Sequence, residues 1–80
     1  MKARVYVTLK KTVLDPQGQT IQQALAGLGF ASIKEVRQGK VFDLALDALA
    51  EDQARRQVER VAKDVLTNPV IEEFRYELEE

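Results

Sequence analysis

The sequence predicts an α+β domain of the ferredoxin-like type, in which a four-stranded antiparallel sheet carries two helices on one face. Residues 3–10 and the C-terminal segment alternate apolar and polar side chains, which indicates strands with one buried face. Two other segments repeat apolar residues every three or four positions, which indicates amphipathic helices. The resulting order is β-α-β-β-α-β, and right-handed crossovers predict the strand order 4-1-3-2. The 80 residues leave room for a single domain, residues 1–80.

The first strand leads into a helix whose start is marked by Asp15 and Pro16. The Asp15 carboxylate can accept hydrogen bonds from the free N–H groups of the first turn, and proline suits the first helical position because no N–H is needed there. Thr20 begins a competing capping-box pattern, but the adjacent proline favours the earlier start. Gly29 is expected to end the helix, because glycine adopts the left-handed conformation at low cost. The predicted apolar stripe of this helix comprises Ile21, Ala24, Leu25 and Leu28.

Residues 31–47 are predicted to form two strands joined by a tight hairpin at Gln38 and Gly39, with Gly39 at a positive-φ turn position. Ile33 and Val36 break the alternation of the first of these strands, which indicates a bulge or a twist. The second has a regular apolar face. Its members are Phe42, Leu44 and Leu46.

A second helix is expected from about Glu51, and Pro69 stops it at Asn68. Its apolar stripe consists of Ala54, Val58, Val61, Ala62, Val65 and Leu66. The last strand places alternate apolar residues on one face, namely Phe74, Tyr76 and Leu78. Because both helices are expected on one face of the sheet, the opposite face is left open, with Tyr6, Val41, Ala45 and Ile71 expected on it among charged residues. Such a face can be simply solvated, or it can mediate self-association.

Composition excludes several functions for the isolated chain. The sequence contains no histidine and no cysteine, so the usual neutral-pH base and the best nucleophile are missing, and it contains no phosphate-binding loop motif. We therefore expect no bond chemistry, no cofactor and no metal site on this chain alone. The net charge of −1 provides no general attraction to nucleic acid or membranes, and neither is expected as a partner. The N-terminus lacks a signal-peptide pattern, so a cytoplasmic location is expected.

Three short motifs have a local structural interpretation and a second, functional one. Residues 15–18, which include Asp15, Gln17 and Gly18, serve as a helix cap or also contact a partner. Arg37, Gly39 and Lys40 belong to a turn, or their two cations hold an acidic surface. Asn68 ends the second helix, and its spacing to Glu72 indicates no site. The acids at the C-terminus, from Glu72 to Glu80, form a solvated face or a docking tail.

In order and spacing, five segments together resemble the PurS family, the small subunits of phosphoribosylformylglycinamidine (FGAM) synthase. These segments are Val5–Lys10, Leu14–Gly18, Gly29-Phe30, Val36–Lys40 and Asn68–Glu72. The resemblance covers essentially all 80 residues. It marks Asp15, Gln17, Gly18, Arg37, Gly39, Lys40 and Asn68 as family-like positions, for fold maintenance or for partner contact.

The resemblance implies an accessory subunit of an ATP-dependent ligase complex, with no active site of its own. It implies a homodimer, or a dimer of dimers, that bridges a PurQ-like glutaminase and a PurL-like synthetase and assists ammonia transfer between them. ATP and Mg²⁺ are then expected on the synthetase partner. Two alternatives on the same fold are an ACT-like amino-acid sensor and a small acylphosphatase. The arginine-bearing phosphate loop of the acylphosphatases is absent, since Lys10, Lys11 and Thr12 stand in its place.

Overall fold

The computed structural model describes residues 1–79, and within them the elements follow the predicted order with one strand missing. The strands are β1 (Lys2–Leu9), β2 (Gly39–Ala45) and β3 (Glu72–Glu79). The helices are α1 (Pro16–Gly27) and α2 (Glu51–Val61), and α2 continues into a π-helical turn (Ala62–Leu66). None of the described helices is both long and apolar enough to span a bilayer. The presence of both helices and an antiparallel sheet confirms the predicted α+β class.

β1 is the central strand and pairs antiparallel with both neighbours, in the order β2-β1-β3. This is the predicted order without its outermost strand. Val5 lies opposite Phe42 on one side and Tyr76 on the other, so these three side chains share one face. The alternation seen in the sequence thus places Val5 and Val7 on the face that α2 covers, where both are fully buried.

The prediction of four strands is wrong for the part of the chain that the structure describes, because residues 31–38 form a turn and an irregular segment. The predicted tight hairpin is absent there as well. Gly39 has no positive φ and instead begins β2 opposite Thr8. Glycine is needed at this position because an added Cβ would lie 2.7 Å from the Val7 carbonyl oxygen. The Arg37 side chain and the Gln38 N–H donate hydrogen bonds to Lys10 and Asp15 in the loop after β1. These contacts with the loop take the place of the predicted strand pairing.

α2 covers the sheet as predicted, but Val61 and Val65 of its predicted stripe face away from the core and are 37% and 74% exposed. Val58 and Ala62 pack against Ala3, Val5 and Val7 to form the fully buried core. Larger side chains surround this core and are only partly buried, among them Phe42, Leu44, Phe74 and Tyr76. The helix ends slightly before the predicted Asn68, because the π-helical turn closes at Leu66 and Thr67 is extended.

The prediction that both helices lie on one face of the sheet is wrong for α1. Within residues 1–79, no α1 side chain belongs to the core, and α1 has no substantial contact with the sheet or with α2. The apolar stripe of α1 is consequently open: Ile21 is 40% exposed and Leu28 is 74% exposed. The chain measures 49 × 26 × 14 Å with a radius of gyration of 16.1 Å. A compact chain of this length would have a radius of about 12 Å.

The outer face of the sheet is covered by charged and polar side chains. Arg4 donates a hydrogen bond to the Asp43 carboxylate over 2.7 Å, and the Arg75 guanidinium stacks 3.8 Å from the centre of the Tyr6 ring. Val41 on the same face is 57% exposed. This face therefore has the mixed polar character of a sheet surface open to solvent. Glu80, the last of the predicted C-terminal acids, lies outside the described residues.

Candidate functional site

The seven family-like positions gather around one end of the sheet, where β1 ends and where β2 and β3 begin. We call Asp15, Gly18, Val36, Arg37 and Gln38 the α1 junction, because they attach the start of α1 to the segment before β2. Lys40, Asn68 and Gln17 lie around it.

Asp15 is the centre of the α1 junction. One carboxylate oxygen accepts the N–H of Gly18 over 2.9 Å, which caps α1 as predicted, and the other accepts the N–H of Gln38 over 2.7 Å. Only 4% of the residue is exposed. The hydrogen bond from Gln38, then that from Gly18, and the nearby Arg37 charge hold the pKa of this carboxyl below its ordinary value. Asp15, which the sequence predicted as a helix cap, therefore also holds Gln38, a residue 23 positions further along the chain.

Gly18 and Arg37 complete the α1 junction. Gly18 is buried directly against the backbone of Val36, where any side chain would overlap the Val36 carbonyl oxygen. The Arg37 guanidinium donates to the carbonyl oxygens of Lys10 and Val13, over 3.1 and 2.9 Å. The Arg37 cation thus stabilises the loop after β1. The sequence analysis assigned Arg37 and Lys40 to a turn or to an acidic partner surface, and it did not predict this contact with the loop after β1.

Lys40 and Asn68 are joined through Glu72, which the sequence analysis placed among the C-terminal acids of a solvated face or docking tail. One Glu72 oxygen lies 3.4 Å from the Lys40 ammonium, and the other accepts the N–H of Asn68 over 2.8 Å. Asn68 also accepts the N–H of Val70 through its side chain. The spacing Asn-Pro-x-x-Glu directly after a helix could have indicated this closed turn. A glutamate four residues after the asparagine can accept the asparagine N–H, which has no partner once the helix has ended.

Two grooves flank these residues. A smaller one of about 250 Å³ is lined by Leu9, Gln17, Gln38, Gly39, Lys40 and Glu72, among others. A larger one of about 510 Å³ lies between residues 11–15 and residues 34–37. Within the described part of the chain, no group of three or more metal-ligating side chains comes together. The arrangement holds α1, the loop after β1 and the start of β2 in fixed relative positions.

The lowered pKa of Asp15 gives the α1 junction a pH dependence with a defined sign. A carboxylate with a depressed folded pKa stabilises the structure above its unfolded pKa of about 4, and this stabilisation is lost as pH falls through the folded pKa. We expect the amide protection of α1, measured by hydrogen exchange, to fall as pH decreases below about 4. In Asp15→Asn the protection should be weaker at pH 7 and should lack this acid transition. An unchanged acid transition in the variant would contradict the assignment.

Comparisons with known proteins identify the family. Residues 2–80 match the family model described as PurS: phosphoribosylformylglycinamidine (FGAM) synthase. The PurS subunit of Methanocaldococcus jannaschii is 42% identical, over 98% of this chain and 94% of its own length. The crystal structure of Bacillus subtilis PurS superposes with a TM-score of 0.89 at 40% identity, covering 99% of this chain and 98% of that one.

A chain in the structure of PurLQS from Thermotoga maritima superposes with a TM-score of 0.86 at 30% identity, covering 95% of this chain and 93% of that one. The similarity thus extends from end to end in sequence and in fold. The chain belongs to the PurS family, which provides a subunit of the FGAM synthase of purine biosynthesis.

Proposed function

We propose that this chain is the small, non-catalytic subunit of an FGAM synthase complex, in which it bridges a PurL-like synthetase and a PurQ-like glutaminase. The observation that carries the proposal is its end-to-end similarity to PurS chains, including the one in PurLQS from Thermotoga maritima. The glutaminase releases ammonia from glutamine, and the synthetase uses ATP to place that nitrogen on formylglycinamide ribonucleotide, which gives the amidine. ATP and Mg²⁺ bind the synthetase in this proposal, and the complex works in the cytoplasm.

The bridging role includes assistance to ammonia transfer. Ammonia is neutral and diffuses freely, so the yield of the coupled reaction depends on keeping it from solvent between the two active sites. The shape of the chain supports such a role, since a plate 49 Å long and 14 Å thick offers two broad surfaces to larger neighbours. The family-like residues lie at the end of the sheet from which α1 starts, where loops are held by hydrogen bonds rather than left free.

We further propose that the chain forms a homodimer, with a dimer of dimers as a possible larger assembly. The support comes from the apolar stripe of α1, which does not join the core within residues 1–79. Its members Ile21 and Leu28 are 40% and 74% exposed, and Phe30, just after the helix, is 53% exposed. On the sheet, Phe42 and Leu44 are only partly buried on the face where a second helix was predicted. Covering that face with α1 of a second copy would bury both surfaces and give each sheet the two-helix layer of a ferredoxin-like domain.

The test of the bridging role is reconstitution with the cognate synthetase and glutaminase subunits. We expect all three to co-purify in the presence of glutamine and nucleotide. Omitting this chain should abolish glutamine-dependent FGAM formation but leave FGAM formation from added ammonium salts intact, because only the first reaction needs ammonia transfer.

Light scattering on the isolated chain should give at least the mass of a dimer. Failure to bind either larger subunit would refute the bridging role, and saturable binding of a free amino acid would instead favour an ACT-like sensor.

A further inference from the structure

The larger groove is fully formed in the isolated chain. Its walls are the loop of residues 11–15 and the segment of residues 34–37. Arg37 ties one wall to the other through the carbonyl oxygens of Lys10 and Val13. On the α1 side, the Gln22 side-chain amide donates to the Ile33 carbonyl oxygen over 3.3 Å. A groove held in place before binding avoids the cost of ordering its walls when a partner arrives.

The wall formed by residues 34–37 has unused backbone donors. Within residues 1–79, the N–H groups of these four residues donate no hydrogen bond, whereas the next one, that of Gln38, is bound by Asp15. The same residues belong to the segment whose pattern predicts a strand, yet no strand pairs with them. Free backbone donors beside a groove are the feature that an added extended segment uses when it docks on a protein.

The charges around the groove indicate which kind of segment it would bind. Lys11 and Lys34 line it, are exposed, and form no ion pair with any described residue. The acids nearby are already engaged: both oxygens of Asp15 accept backbone N–H groups, and Glu35 lies 4.0 Å from Arg37. Leu14, also a lining residue, is 65% exposed. The lining therefore has a net positive charge, from three cations against two carboxylates, and one exposed aliphatic side chain.

We propose that this groove binds an extended acidic segment of one of the larger synthase subunits, which pairs its backbone with residues 34–37. Carboxylates of the segment contact Lys11 and Lys34, and an apolar side chain of it packs on Leu14. The inference rests on the proposed bridging function and adds the surface and the chemistry of the contact. It is compatible with the proposed homodimer, because Ile21 and Leu28 of the α1 stripe do not line the groove.

The first test is charge reversal with a matched control. In Lys11→Glu/Lys34→Glu, we expect the affinity for the cognate larger subunits to fall by about tenfold or more, because like charges then meet across the contact. The control is Lys2→Glu/Lys63→Glu, which reverses two other exposed lysines that are unpaired among the described residues and lie outside the groove. Its affinity should stay within about twofold of the wild type, since isolated surface charges contribute little. Equal losses in both variants would overturn the proposal.

The second test is hydrogen exchange at the amides of residues 34–37, which reports backbone pairing directly. These amides should exchange rapidly in the isolated chain and become protected in the assembled complex. Rapid exchange in the complex would overturn the proposal, and so would protection already present in the homodimer, which would assign the segment to a second copy. If the wild-type chain binds neither larger subunit, the bridging function itself fails. If it binds them while the lysine variant binds equally well, only the groove assignment fails.

Discussion

Replacement of Gly18 by alanine is expected to detach the start of α1 from the segment before β2. The new methyl group would overlap the Val36 carbonyl oxygen and would lie 2.9 Å from both the Val36 carbonyl carbon and an Asp15 carboxylate oxygen. Backbone atoms cannot rotate out of the way as a side chain can, so either α1 or the loop must move. We expect a cost of about 2–3 kcal/mol, which is typical of overpacking at a rigid site.

Hydrogen exchange across α1 measures this effect, because the loss should be local and the sheet core lies elsewhere. Protection of the α1 amides should fall in Gly18→Ala, and the proposed homodimer should weaken with it. Gly27→Ala is the matched control on the same helix, since nothing lies within 4 Å of its added Cβ. That variant should gain about 0.5–1 kcal/mol from the better helix propensity of alanine. Unchanged α1 protection in Gly18→Ala would show that the close contact with Val36 is not maintained in solution.

Truncation of Val58 to alanine is expected to lower the stability of the whole chain. Val58 is 1% exposed and joins α2 to the buried valines of β1. Two methyl groups lost from such a position remove about 1.6 kcal/mol of transfer free energy. The residual cavity adds to this, so we expect about 2–3 kcal/mol. A domain this small has only a few kcal/mol in total, so the midpoint of urea unfolding should fall clearly.

Val65→Ala is the control for Val58→Ala. It makes the same chemical change in the π-helical turn that continues α2, at a side chain that is 74% exposed. Its effect should stay within about 0.5 kcal/mol of zero, as is usual at the surface. Both variants must be compared at one protein concentration, because self-association would make the unfolding midpoint concentration-dependent. Equal destabilisation by the two changes would contradict the placement of the core on the inner sheet face.

Elements with strictly local signals were predicted correctly. Asp15 and Pro16 fixed the start of α1 because the cap and the missing donor act within one helical turn. Gly29, with a φ of 99°, follows the end of α1 as expected. The alternation in β1 and β3 also predicted the buried face, because side chains on a strand necessarily point to opposite sides.

The predictions that failed concern the strand and hairpin expected over residues 31–39 and the position of α1 relative to the sheet. Within residues 1–79, the segment 31–38 pairs with no strand, because the hydrogen bonds of Asp15 and Arg37 bind it to the loop after β1. The apolar stripe of α1 indicates a helix face suited to burial. The stripe does not specify whether that face packs against its own chain or against another one. The ion pair between Glu72 and Lys40 was missed because these residues meet only after β2 and β3 have both paired with β1.

The amino-acid order alone established the class of fold and the type of five of its six predicted elements, since helix and strand patterns depend on residues that are neighbours along the chain. It also established the family, through the order and spacing of five short segments. Only the folded chain determined that α1 projects away from the sheet and that a positively charged groove opens beside the segment of residues 34–37. The physical reason is that these features depend on contacts between residues far apart along the chain, such as Asp15 with Gln38 and Gly18 with Val36. The local pattern allows several positions for α1. The buried Asp15 carboxylate and the close approach of Gly18 to the Val36 carbonyl group stabilise one of them.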